Sequence, residues 1–403
     1  MNKQKPQQFS VKKLIFSISI LAWLPFAQVA LAESPHKASH HGVNSKAAHD
    51  PKPIESTPAL RISGSPDLKR LIPELAKHRV IFIGEIHTRY DHHLTQLEII
   101  RRLHVLHPDL VIGMESFQQP FQKYLDEYVR GDLSEREMLR LTEYYDRWRY
   151  DYRLYAPILR YAQEHGIPVL ALNIPTELTR KVGRSGLDSL SEDERAQLPE
   201  EIDRTDKDYQ NRLKEIFNQH SGGQAEDFDN FLTAQLLWDE GMAESIADYL
   251  GAHPAAKMVV LAGRGHLAHG SGIPKRVARR LAVNSAIVLN GWEGTIQPGL
   301  ADILLLPEEQ ALPKAGKIGA MLDEDESKGK VSIASCEPDS ACAKAGLKKG
   351  DQILSINDQK ITNLASLRVM MWDKKPGDEI SLMIQRPHWF SSPEELSLRL
   401  TLQ

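Results

Sequence analysis

At 403 residues, 41% hydrophobic and 26% charged, the chain is long enough for two globular domains and too mixed in composition for a fibrous or wholly disordered protein. A formal net charge of −4 leaves no basic excess, so nucleic acid is not an expected partner.

Residues 1–32 carry Lys3, Lys5, Lys12 and Lys13 ahead of an apolar run from Leu14 to Phe26, then Ala30-Leu31-Ala32. A basic start, a short apolar run and small residues at the end are the pattern of a secretory signal peptide. Export to the periplasm or beyond is therefore expected. No cysteine follows the leader, so no lipobox lipid anchor is expected. Residues 33–64 are rich in Ser, Ala, Pro and His without apolar periodicity and read as a disordered arm. His36, His40, His41 and His49 in it could hold metal or haem loosely, though a solvated tail is the simpler reading.

From 65 to 307, short apolar runs alternate with helical stretches. The predicted strands are Val80–Ile83, Leu110–Met114, Val169–Leu172, Met258–Ala262, Ala286–Leu289 and Ile303–Leu306. They are too uniformly apolar to have a wet face, which suits a mostly parallel sheet with helices on both faces. Asp91 is placed to cap the helix after the first strand, and Gly166 to stop a helix over Pro157–Glu164. Phe121–Tyr155 and Ser185–Leu250, the second long and helical, are large insertions of the kind that form a lid or a helical cap over a site. A short linker over 308–315 leads to a smaller β-rich module over 316–403. It holds Cys336 and Cys342, the only cysteines, six apart, and in an exported chain a local disulfide is expected.

Polar residues follow the predicted strands: Glu85 and His87, then Glu115, then Asn173, then Arg264, His266 and His269, then Asn290, Trp292 and Glu293. Side-by-side parallel strands bring all of these to one edge, where open α/β sheets bind ligands. His87 and His266 each close a G-x-x-H element, GEIH and GRGH. Three chemistries are open to this set. His87 and His266 with Glu85 or Glu115 could hold a divalent metal ion with a free position for water. Without metal, His87 beside Glu85 could act as a general base, with Arg264 stabilising developing negative charge. Haem is the third: the tract Tyr144–Tyr155 supplies Tyr150, Tyr152 and Tyr155 as candidate ligands to ferric iron and Arg147 as a partner for propionates. A polar cluster that only ties strand ends together is the plain alternative. His92, His93 and His269 are secondary candidates, better suited to the surface or to packing.

GEIHTRYDHH, GMESF, YRLYAPILRYAQEHGIPVLALNIP, AQLLWDEGMA and LAGRGHLAHGSGIP together resemble the ChaN-like haem-binding family, over about residues 65–295. That resemblance implies an α/β fold, a role in haem or iron uptake, and haem held between two copies of the chain. Tiki-type and erythromycin-esterase relatives in the same superfamily imply a hydrolase alternative on His87, His266, Glu115 and Glu85. Residues 316–403 resemble a bacterial PDZ domain through Gly319-Ala320-Met321 and AGLKKGDQILSIN. That resemblance implies capture of a protein C-terminus by Gly319, Ala320 and Met321, with the peptide adding a strand to the sheet.

Overall fold

Apolar residues on both faces of each strand force a sheet with two covered sides, and the computed structural model has that architecture. It describes residues 67–220, 225–291, 296–388 and 392–403. The expected leader, the arm, Trp292 and Glu293 lie outside the described residues.

Six strands form one parallel sheet: β1 (Val80–Glu85), β2 (Leu110–Gln118), β3 (Val169–Asn173), β4 (Lys257–Gly263), β5 (Ser285–Asn290) and β6 (Ile303–Leu305). Their spatial order is β3-β2-β4-β1-β5-β6. Successive side chains point to opposite faces. Thus Ile81 and Ile83 enter one core with Ile112 and Met114, while Val80 and Phe82 enter another with Met258 and Val260.

The first core is closed by α1 (Leu68–Leu75), α2 (Tyr90–Leu106), α3 (Gln122–Arg130), α4 (Glu135–Leu141), α5 (Tyr144–Arg147) and α6 (Ala156–His165). Gly166 ends α6 in the left-handed conformation, φ 65°, as its position predicts. Asp91 is not the cap of α2. The helix begins one residue earlier, Arg89 holds both Asp91 oxygens at 2.9 and 3.0 Å, and the carboxylate is buried in the first turn. His92 fixes the entry instead, its Nδ1 accepting the Ile86 N–H at 3.1 Å.

Next come α7 (Thr176–Ser185), α8 (Glu192–Arg195), α9 (Lys207–His220), α10 (Ala225–Ala252) and α11 (Ile273–Arg280). Of the lid and the cap expected for 185–250, the helices form a cap packed on the sheet. Met242, Ala243, Ile246 and Leu250 of α10 pack on Phe82, Met258 and Val260, so α10 covers the second face of the sheet beside α11. α9 lies against α10 through Tyr209, Leu213, Leu232 and Leu236.

The C-terminal module is an antiparallel sheet of β7 (Ala320–Asp325), β8 (Lys330–Cys336), β9 (Gln352–Ile356), β10 (Gln359–Lys360), β11 (Glu379–Arg386) and β12 (Glu394–Thr401). The order β12-β11-β9-β8-β7 leaves β7 at an edge, and β10 pairs with β9. Two helices complete it, α12 (Ala341–Lys344) and α13 (Leu364–Met371). Cys336 and Cys342 form the expected disulfide. No described helix is long and apolar enough to cross a membrane.

Candidate functional site

After β1 the chain moves toward β2 and β3; after β4 it moves the other way, to β5 and β6. The reversal falls between β1 and β4, where Glu85 pairs with Gly263 in register. β2 flanks β4 with Met114 opposite Leu261. Glu85, Glu115 and the two G-x-x-H turns therefore meet at one rim, the place where a reversal of strand order opens a crevice.

Glu85 is buried, 3% exposed, at the end of β1. Its Oε1 accepts from His87 Nδ1 at 2.9 Å and from the Tyr155 hydroxyl at 2.9 Å. Its Oε2 lies 2.9 Å from His93 Nδ1. Burial raises the cost of this charge, but His93, with the hydrogen bonds from both imidazoles, holds the carboxyl well below its usual range. His93 is fully enclosed. Its Nδ1 also faces Gln96 Oε1 at 3.1 Å, and its Nε2 faces the His87 carbonyl at 3.1 Å. Both ring nitrogens meet acceptors, so both carry protons. Burial works against that charge, and the Glu85 carboxylate outweighs it, raising the His93 pKa.

Glu115 lies within β2, which runs on to Gln118. Its Oε2 accepts the Gly263 N–H at 2.6 Å and its Oε1 stands 3.4 Å from His266 Nε2. His266 Nδ1 donates to Asp239 Oδ1 at 2.7 Å, and the Tyr209 hydroxyl donates to Asp239 Oδ2 at 2.6 Å. Burial pushes the His266 pKa down, but Glu115 and Asp239 on either side of the ring carry it up to about 9. Gly263 lets the two networks meet: a Cβ there would stand 2.9 Å from His87 Cε1 and 3.0 Å from Nε2.

His87 forms the open face of the cluster. Its Nδ1 is bonded to Glu85, so Nε2 is the ring nitrogen left on the other side. Its ring meets Trp148 edge-on and Tyr150 at a tilt, both with centroids 4.9 Å away. Tyr150 is half-buried, its pKa pushed up to about 12 by burial and by the Glu115 and Glu85 charges. Among the described residues, neither His87 Nε2 nor the Tyr150 hydroxyl makes a hydrogen bond within the chain.

Residues 71–277 match the family described as haem-binding uptake, Tiki superfamily, ChaN, and residues 309–385 match the PDZ domain. The chain belongs to the ChaN-like haem-binding family. A curated relative, Protein RETICULATA-RELATED 5, chloroplastic, from Arabidopsis thaliana, is 25% identical over 281 residues, 62% of this chain and 34% of that protein. Periplasmic serine endoprotease DegP of Salmonella typhimurium is 26% identical over 168 residues, 41% of this chain and 33% of its own length. The chain thus spans about a third of the length of these curated relatives. A solved structure titled "Cofacial heme binding to ChaN of Campylobacter jejuni" aligns with TM-score 0.49 and 18% identity, covering 60% of this chain and 92% of that one.

Within this ChaN-like domain the four expected residues Glu85, His87, Glu115 and His266 do converge. The expected divalent-metal set does not form: among the described residues no three His, Cys, Asp or Glu side chains are grouped to hold an ion. The physical reason is prior commitment, since Glu85 is shared by His87, His93 and Tyr155, and His266 Nδ1 is bonded to Asp239. Arg264 lies half-buried in the same turn as His266.

Two of the candidate haem tyrosines are turned inward. The Tyr155 hydroxyl serves Glu85, and the buried Tyr152 hydroxyl donates to Glu135 at 2.8 Å. Both hydroxyls are thus hydrogen-bonded to buried carboxylates, whereas Tyr150 is half-buried beside His87. Arg147 is paired with Glu143 and Glu177 at 2.6 and 2.8 Å. His92 is a buried acceptor, and burial takes its pKa down to about 4. Asn173 and Asn290 brace the rim through the Glu115 and Gly84 carbonyls, each at 3.2 Å.

Sequence reasoning missed Asp239 and Tyr209. Asp239 stood in the AQLLWDEGMA motif beside a second acid, Glu240, with no local signal to tell the two apart. In the PDZ domain Gly319 has φ 71°, and a Cβ there would strike Ser340 Cβ at 2.4 Å. Ala320 and Met321 open the edge strand β7, with Met321 66% exposed.

Proposed function

We propose that this is an exported haem-binding protein that takes up haem as cargo at the His87–Tyr150 face, while its PDZ domain recruits a partner protein by its C-terminus. One observation carries the reading. Among the described residues His87 Nε2 and the Tyr150 hydroxyl make no hydrogen bond within the chain, whereas Glu85, Glu115, Asp239, His93, Tyr152 and Tyr155 each have a hydrogen-bond partner. Imidazole and phenolate are both side chains that ligate haem iron. Trp148 and Tyr150 add flat apolar faces beside them. Glu85 behind Nδ1 fixes the ring and makes Nε2 a better donor.

When bound, haem would supply an iron that accepts side-chain donors, and His87 and Tyr150 are the residues that would hold it. If Tyr150 is a ligand, its proton must leave on binding. With a pKa of about 12, affinity through Tyr150 should rise by roughly tenfold per pH unit from 7 to 9. The test is titration of the mature protein with haemin, followed by its Soret band. Tyr150→Phe should weaken binding and flatten its pH dependence, and Tyr150→Phe with His87→Ala should abolish the band shift while the far-UV spectrum stays the same. Unchanged haemin affinity in that double variant would overturn the proposal.

A hydrolase reading rests on a separate observation, the Glu85–His87 pair, which has the form of a general base oriented by a carboxylate. A panel of ester and peptide substrates tests it: turnover lost in His87→Ala, with no haemin binding, would select this reading over the first.

A further inference from the structure

α13 is built into two cores at once. Ala365, Val369 and Trp372 follow one another at helical spacing and enter the core of the ChaN-like domain. Leu367 and Met370, on the other side, enter the PDZ core. What α13 touches in the ChaN-like domain is the aromatic tract over His87. Trp372 meets the Tyr152 ring at 5.1 Å, and Arg160 lies over Trp372 at 5.3 Å. Asn363 donates to Asp146 at 3.2 Å, Arg368 reaches the Arg149 carbonyl at 3.5 Å, and Arg136 pairs with Asp373 at 3.0 Å. The tract is held in a demanding backbone: Glu143 and Arg149, neither a glycine, have φ 51° and 68° on either side of α5. The residues after Arg147 are Trp148, Arg149 and Tyr150, and two of these three rest on His87.

The other end of the path is the peptide edge. β7 pairs only with β8 among the described strands, and the Leu364 N–H at the start of α13 donates to Glu324 of β7 at 2.8 Å. A strand added to the free edge of β7 would therefore lie alongside α13. Close-packed cores do not absorb a helix displacement locally, so one that moves in one core moves in the other.

We propose that α13 couples the PDZ groove to the His87–Tyr150 face, so that a protein C-terminus bound along β7 changes how that face holds its ligand. The coupling rests on the peptide role of the PDZ domain, and its haemin readout on the haem reading above. By linkage it is reciprocal: the ligand alters peptide affinity by the same factor.

The test uses the full mature chain and a pool of ten-residue peptides with free carboxyl termini ending in Val, Ile, Leu, Phe or Ala. The tightest binder by fluorescence polarisation is taken forward. Saturation with it should change amide hydrogen exchange over residues 144–155 several-fold and shift haemin affinity by about tenfold. In Arg136→Ala with Arg368→Ala, which removes two surface ties of the joint, the peptide should still bind while both effects shrink. Unaltered exchange over 144–155 at peptide saturation overturns the proposal, as does a pool that yields no binder. The exchange readout needs no haemin, so altered exchange without any Soret band would fail the haem reading alone.

Discussion

Glu85 is 3% exposed; its Oε1 accepts from His87 and Tyr155, and its Oε2 forms a buried ion pair with His93 at 2.9 Å that holds its carboxyl low. Breaking such a pair costs more than forming it gains, since the partner is left charged and buried. Glu85→Gln should therefore destabilise the protein by about 3–5 kcal/mol in urea unfolding. Glu85→Gln with His93→Gln should cost less than the two single changes together. A simple sum would show that the two groups act independently. The pH dependence has a definite sign. Glu85 is held low, so its contribution is present above the ordinary glutamate value of 4.5 and is lost as pH falls below it. His266 is raised from 6.5 to about 9, so its contribution is complete below 6.5 and disappears as pH rises through 9. That is on the order of 3 kcal/mol for a buried ring. Unfolding midpoints at pH 6.5, 8 and 10 should show a steeper alkaline loss in the natural protein than in His266→Gln, and parallel curves would remove the charged His266 from the account.

At the scale of elements, the register of β1 with β4 sets the site, because it places Gly263 opposite Glu85 and under the His87 ring. Gly263→Ala would put a methyl 2.9–3.0 Å from the imidazole. The ring must turn away, losing its hydrogen bond to Glu85. Haemin affinity should fall at least tenfold while thermal stability changes little, with Soret titration and calorimetry as the two readouts; equal losses in both would mean that the strand itself had been disturbed. The sheet was legible in the sequence because its strands are buried on both faces: all six predicted runs fall inside observed strands or overrun them by one residue. The rim was legible for a related reason, since polar residues directly after such runs have nowhere to go but the sheet edge. What was not legible depends on contacts between distant helices. Asp239 faces His266 only because α10 lies across the sheet, and nothing in its neighbours separates it from the adjacent Glu240, which instead pairs with Arg276 at 3.0 Å. The choice among Tyr150, Tyr152 and Tyr155 likewise turned on which hydroxyl finds a buried carboxylate, a matter of packing.

The two described domains are tied together by Trp372, 8% exposed, which caps the PDZ-domain helix α13 yet packs in the core of the ChaN-like domain. Two domains joined only by a linker would unfold separately. Here the helix that carries Leu367 and Met370 into one core carries Ala365, Val369 and Trp372 into the other, so loss of either core exposes apolar surface of both. Calorimetry should accordingly record a single transition. Trp372→Ala removes the largest shared side chain at a cost of about 3–5 kcal/mol and should split the transition in two, the PDZ part melting first. Reduction of Cys336–Cys342 supplies an internal check, because that bond closes a short loop wholly within the PDZ domain and is worth about 2 kcal/mol. In the natural protein, reduction should lower the one shared transition. In Trp372→Ala it should lower only the first of two. A natural protein that already melts in two steps would mean that α13 does not bind the cores into one cooperative unit, and the route from PDZ groove to His87 would lose its mechanical basis.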